Sequence, residues 1–190
     1  MKDKILAAAQ KLFLQHGYQA VSMRKIAKEI GYSATTIYIY FQNKADLLTQ
    51  IAKNYFDDFL AQASDISKIY TEPATVLAEY LKLYCMMAFQ NQHKFKFLAS
   101  IFAEADKLKL GNTNSRQVLI HLQDLLEDCV KTGVLKIEDK GKAAESLWAL
   151  LYGLSLLLVN RPYSISKAES LINYTIDTHL TGMMKKEIKK

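Results

Sequence analysis

The sequence predicts an all-α fold, and three observations carry that expectation. Only 7 Gly and 2 Pro occur in 190 residues, too few for a turn-rich β protein. Apolar residues recur at three- and four-residue spacing along most of the chain, the period of a helix face. Residues 22–48 read as two short helices broken by one tight turn and followed by the start of a third.

Helix 1 runs from about Lys2 to His16, with Ile5, Ala8, Ala9, Leu12 and Phe13 as one apolar stripe, and Gly17 stops it. Ser22 caps helix 2 and Gly31 ends it, because glycine tolerates the left-handed backbone of a sharp helix exit. Ser33 caps helix 3, Ala34 to Tyr40, by accepting from the amide of Thr35 or Thr36. Asn43 caps helix 4, where Asp46 suits the helix dipole. Ile26, Ala27, Ile30, Ile37 and Phe41 let helices 2 and 3 pack on each other. That is the layout of a helix-turn-helix, whose second helix enters the DNA major groove.

Helix 4 is expected from Lys44 to about Ser64, with Leu47, Leu48, Ile51, Tyr55, Phe59 and Leu60 inward; Ser64 to Thr71 is ambiguous. Pro73 opens helix 5, which runs to about Gln92. Helix 6 covers Lys94 to Leu108, and Gly111-Asn112-Thr113-Asn114 is a loop. Helix 7 runs from Ser115 to Thr132, before Gly133. Helix 8 covers Asp139 to Asn160, and Arg161-Pro162 breaks it. Helix 9 runs from Ser166 to Met183. No strand and no internal repeat is expected.

Charge is unevenly placed within the net +6. Residues 1–48 hold seven Lys and Arg against three Asp and Glu, whereas residues 49–184 hold 14 against 15. The basic excess therefore lies on the helix-turn-helix end, as an electrostatic footprint for nucleic acid should. Cys85 and Cys129 stand far apart, as two small core residues in a reducing cytosol would. His16, His93, His121 and His179 are scattered, so no metal site and no cofactor is expected. No Ser/His/Asp arrangement, paired-carboxylate signature or glycine-rich phosphate loop supports an enzyme, so no catalytic residue is named. The N-terminus is amphipathic and unlike a signal peptide. The most apolar stretch, Leu147 to Val159, is shorter than the ~20 residues a membrane span needs. A cytoplasmic protein without a membrane partner is the expectation.

The run Ile26-Ala27, Gly31-Tyr32-Ser33, Thr36-Ile37-Tyr38, Tyr40-Phe41 and Lys44 to Leu48 resembles the TetR family of bacterial transcriptional regulators. The family pattern is Ile-Ala, three residues, Gly-Val-Ser, then Leu-Tyr, one residue, His-Phe, and a Lys shortly after. Tyr32 stands where Val is usual and Tyr40 where His is usual. A chance amphipathic helix pair explains the apolar positions but not the Gly-x-Ser turn followed by Tyr38, Tyr40 and Lys44.

The resemblance implies an N-terminal three-helix DNA-binding domain with a helix-turn-helix, residues 1–48, followed by a larger helical domain, residues 49–190, for ligand binding and dimerisation. It implies phosphate contacts from Tyr38, Tyr40 and Lys44, with a hydroxyl contact from Thr36. Arg24 falls at a position that often reaches DNA. Base readout falls to Ala34, Thr35 and Ile39, and Ile37 and Phe41 belong to the core. Tyr32 either stacks inside the turn or reaches the backbone. The last two helices imply a homodimer. Helix 8, apolar on nearly every face, fits that expectation, because such a helix must be covered all round; a central core helix of a monomer is the alternative.

Large adaptable side chains crowd helices 5 to 8, among them Tyr84, Met87, Phe97, Phe102, Leu122, Trp148 and Tyr152. Together they suit a small apolar effector, though for each taken alone ordinary core packing is the better reading. The function expected is a one-component transcriptional regulator, a repressor that binds a pseudo-palindromic double-stranded operator and is released by that effector. The alternative is a DNA-binding protein of the same family with a structural or cell-cycle role and no inducer.

Overall fold

The computed structural model describes residues 1–102 and 115–184, and the described residues form nine helices with no strand. They are α1 (Lys2–His16), α2 (Met23–Ile30), α3 (Ala34–Tyr40), α4 (Lys44–Ile69), α5 (Pro73–Gln90), α6 (Gln92–Phe102), α7 (Ser115–Lys131), α8 (Lys140–Asn160) and α9 (Ile165–Met183). They gather into two compact units. One comprises Met1–Asp57 and the segment from His93; the other comprises Asp58–Gln92 and the chain from Arg116 onward.

In the first unit, α1 packs on α2 and α2 on α3. Ile5, Ala9, Ile26, Ile37, Leu47 and Leu48 are fully buried, with Phe13 and Phe41 nearly so. α6 belongs to this unit, where Phe97 stacks on Phe13 with ring centroids 5.8 Å apart.

In the second unit, α5 packs against both α8 and α9. Leu77, Leu81, Leu122, Leu126, Leu147 and Leu158 fill its core. Cys85 and Cys129 lie buried and unlinked, and burial raises their thiol pKa values to about 12 and about 11.

Several boundaries differ from the sequence expectation. α4 runs on to Ile69, five residues beyond Ser64. Nothing before Pro73 breaks it, Tyr70 N–H still donates to the Ile66 carbonyl at 2.9 Å, and Lys68 pairs with Asp65 at 2.7 Å. α5 stops at Gln90 and α6 starts at Gln92, because Asn91 leaves helical geometry while its side chain donates to the Met87 carbonyl. The expected end of helix 6 and the loop 111–114 lie outside the described residues. α9 begins at Ile165, capped by Ser164, which accepts from Lys167 N–H at 3.2 Å. Within α4, Phe56 is buried and Leu60 only half-buried, so Phe56 belongs to the inward set.

α8 is not covered all round within one chain. Leu147, Leu151, Leu154, Leu158 and Val159 are buried, but Ala149, Gly153 and Leu157 are exposed. The whole helix, 21 residues long, is long and apolar enough by length and composition to cross a membrane, which the shorter apolar stretch was not expected to be. Its buried stripe packs against α5.

Candidate nucleic-acid interface

Three local devices hold the helix-turn-helix. Ser22 Oγ accepts from Lys25 N–H at 3.2 Å and caps α2. Gly31 sits at φ 75°, ψ 32°, the left-handed conformation, and lets Tyr32 N–H reach back to the Ala27 carbonyl at 2.9 Å. Ser33 Oγ then accepts from Thr36 N–H at 3.2 Å and opens α3. Of the two amides expected at this cap, the structure selects Thr36. Below the turn, Asn43 accepts from Asp46 N–H at 2.9 Å, and Asp46 in turn accepts from Gln42 N–H at 3.1 Å.

These caps fix which side of α3 faces outward. Ile37 is fully buried and Phe41 is 2% exposed, so both belong to the core, as expected. The opposite face carries Thr35, Tyr38, Ile39 and Tyr40; Ile39 is 75% exposed and Tyr38 53%. Ala34 and Thr36 are half-buried, and the Thr36 hydroxyl lies 3.0 Å from that of Ser33. Thr36 is thus partly committed to the cap. Arg24 is exposed in the first turn of α2.

Lys44 is placed differently from a free surface cation. Its ammonium donates to the Tyr18 carbonyl at 2.7 Å and the Val21 carbonyl at 2.9 Å, and lies 4.1 Å from the Tyr18 ring centroid. Two of its three N–H groups therefore tie the α1–α2 connection to the start of α4. Partial burial lowers its pKa. Its third N–H has no hydrogen-bond acceptor among the described residues. Sequence reasoning missed this second role, because no local pattern pairs Lys44 with carbonyls 23 and 26 residues earlier.

The residues expected to meet an effector divide between the two units. Tyr84, Met87, Leu122, Trp148 and Tyr152 lie in the second, where the rings of Tyr84 and Trp148 approach to 5.2 Å. Phe97 belongs to the first. The side chain of Phe102 lies outside the described residues. Tyr80, another of the large side chains expected there, and His121, which was not expected there, also lie in the second unit. Tyr80 stacks on His121 at 5.1 Å and donates its hydroxyl proton to the Val118 carbonyl at 2.8 Å. His121 Nε2 is buried without a hydrogen-bond partner among the described residues. No cluster of metal-ligating side chains occurs among the described residues.

Comparison with known proteins bears on the same segment. Residues 5–51 match the family model described as bacterial regulatory proteins, tetR family. An uncharacterised helix-turn-helix transcriptional regulator of Haemophilus influenzae is 33% identical over 84 residues, 44% of this chain and 43% of that one. The match thus spans less than half the length of that relative. Among solved structures, the fatty acid degradation regulator FadR of Bacillus halodurans superposes with a TM-score of 0.74 at 24% identity, covering 94% of each chain. SmeT, the repressor of the Stenotrophomonas maltophilia multidrug efflux pump SmeDEF, superposes with a TM-score of 0.78 at 19% identity, over 100% of this chain and 93% of that one.

Proposed function

We propose, for a chain whose N-terminal segment belongs to the TetR family of bacterial regulatory proteins, that it is a one-component transcriptional repressor. It works in the cytoplasm and binds a pseudo-palindromic operator as a homodimer. A small, largely apolar effector releases it. The observation that carries the reading is the exposed row Thr35, Tyr38, Ile39 and Tyr40, held outward by caps on a helix whose other face is buried.

In this reading residues 1–48 form the DNA-binding domain and residues 49–190 the ligand-binding and dimerisation domain. Phosphate contacts come from the phenols of Tyr38 and Tyr40, the remaining N–H of Lys44, and Thr36. Such contacts set register and orientation. Base readout falls to Ala34, Thr35 and Ile39, whose apolar groups suit thymine methyls, while Arg24 is the side chain there able to bond a guanine in two places.

The dimer rests on surface left open on the last two helices. On α9, Tyr174 is 71% exposed and borders a cavity of about 510 Å³ with Leu150, Thr178, His179 and Met183. α8 leaves Gly153 and Leu157 open. A two-fold contact through this face would cover both, and protein symmetry would be mirrored in the operator. The effector binds the aromatic cluster of the second unit around Tyr84 and Trp148. Because FadR is described as a regulator of fatty acid degradation, acyl-chain compounds are the first class to test.

Selection from a randomised duplex pool tests the core of this proposal. The expected outcome is an enriched two-fold-symmetric sequence, bound less tightly once an acyl-chain compound is added. Failure to enrich any sequence overturns the proposal.

A further inference from the structure

We propose that Lys2 and Lys4, in the first turn of α1, form a second cationic grip on the DNA backbone, one ammonium beside each end of α3. The inference rests on the reading of α3 as the helix that enters the major groove.

The two side chains are two positions apart on a helix, so they leave it about 200° apart. The structure lays them toward opposite ends of α3. Lys2 Nζ lies 5.5 Å from the ring centroid of Phe41, the residue that follows α3. Lys4 Nζ lies 5.2 Å from the ring centroid of Tyr32, the residue before the Ser33 cap. Both lysines are exposed, and neither forms an ion pair among the described residues. Lys11, further along α1, is instead paired with Glu29 at 2.7 Å.

Contact with a ring face holds an exposed ammonium only weakly and leaves its N–H groups turned to solvent. The two charges are therefore placed but not consumed. In this proposal the two ammonium groups, one near each end of α3, reach the phosphates that border the groove. Asp3, between them, is the one carboxylate of α1, so the turn keeps a net positive charge. Lysine supplies a point charge with no base preference, so this grip adds affinity and orientation without sequence choice.

The test uses the full chain and a fluorescently labelled mixed-sequence duplex three helical turns long, titrated at several salt concentrations. Each phosphate contact contributes about 0.9 to the slope of log affinity against log salt. The Lys2→Gln, Lys4→Gln double variant should lose about 1.8 of that slope, Lys2→Arg, Lys4→Arg should keep it, and Lys11→Gln should leave it unchanged. Melting temperatures check that each variant is folded. An unchanged slope in the folded double glutamine variant overturns the grip while leaving the DNA-binding reading intact. If the unaltered chain itself shows no salt-dependent binding, the reading it rests on fails as well.

Discussion

Lys44 has two tasks, and they make separable predictions. Its ammonium joins the Tyr18 and Val21 carbonyls, and hydrogen bonds from a charged donor contribute about 1.5–3 kcal/mol each. Lys44→Ala should therefore lower the stability of the chain by about 3 kcal/mol, the low end for two such bonds, in denaturant melts. It should also weaken every duplex alike and reduce the salt slope by about 0.9 if the remaining N–H meets a phosphate. Loss of stability with an unchanged slope would leave only the clamp. Glu72 offers a prediction in pH. Its carboxylate accepts from the Thr75 hydroxyl at 2.7 Å and from the Ala74 and Thr75 amides, and the Thr75 hydroxyl is the main cause of its lowered pKa. A carboxylate whose pKa falls on folding stabilises above its ordinary pKa, and that contribution is lost as pH drops through the lowered value. Acid titration of wild type and Glu72→Gln should show the stability gap close on the acid side. A gap constant with pH would remove the cap from the account.

At the scale of elements, the turn between α2 and α3 depends on backbone conformation more than on contacts. Gly31 sits at φ 75°, and a Cβ there would meet nothing within 4 Å. Gly31→Ala should thus cost about 1–2 kcal/mol through backbone strain alone, without a steric clash. Thermal melts of the alanine and asparagine variants check this, and asparagine should cost less because it tolerates the left-handed region. This turn was legible in the sequence because glycine and serine report backbone conformation directly. The end of α4 was not. Beyond Ala63, Ser64, Asp65, Ser67, Lys68 and Ile69 are exposed, so the apolar period fades although the helix continues. Periodicity reports burial, and a helix that leaves its packing partners loses the signal before it loses its hydrogen bonds. The outward side of α3 was readable for a similar reason: Ile37 and Phe41 set the buried side, so Tyr38, Ile39 and Tyr40 had to face outward. The carbonyl partners of Lys44 and the division of aromatic residues between two units are long-range facts that no local pattern carries.

In the proposed function, a DNA-binding head is joined to a helical body that responds to a ligand. Effector and operator should oppose each other by a coupling of about 1–3 kcal/mol, equal in both directions by linkage. Trp148, the single tryptophan, lies against Tyr84, so its fluorescence should report acyl-chain binding with the same half-saturation as loss of DNA affinity. A fluorescence titration that saturates without changing DNA affinity would separate ligand from regulation. The proposed function requires two copies to read two symmetric half-sites on one face of the duplex. Sedimentation of the chain on its selected duplex, at increasing protein concentration, tests it most directly. One complex holding two chains is expected, with half-sites spaced by a whole number of helical turns and little binding to an isolated half-site. A single chain bound at full affinity to one unsymmetric site would contradict it.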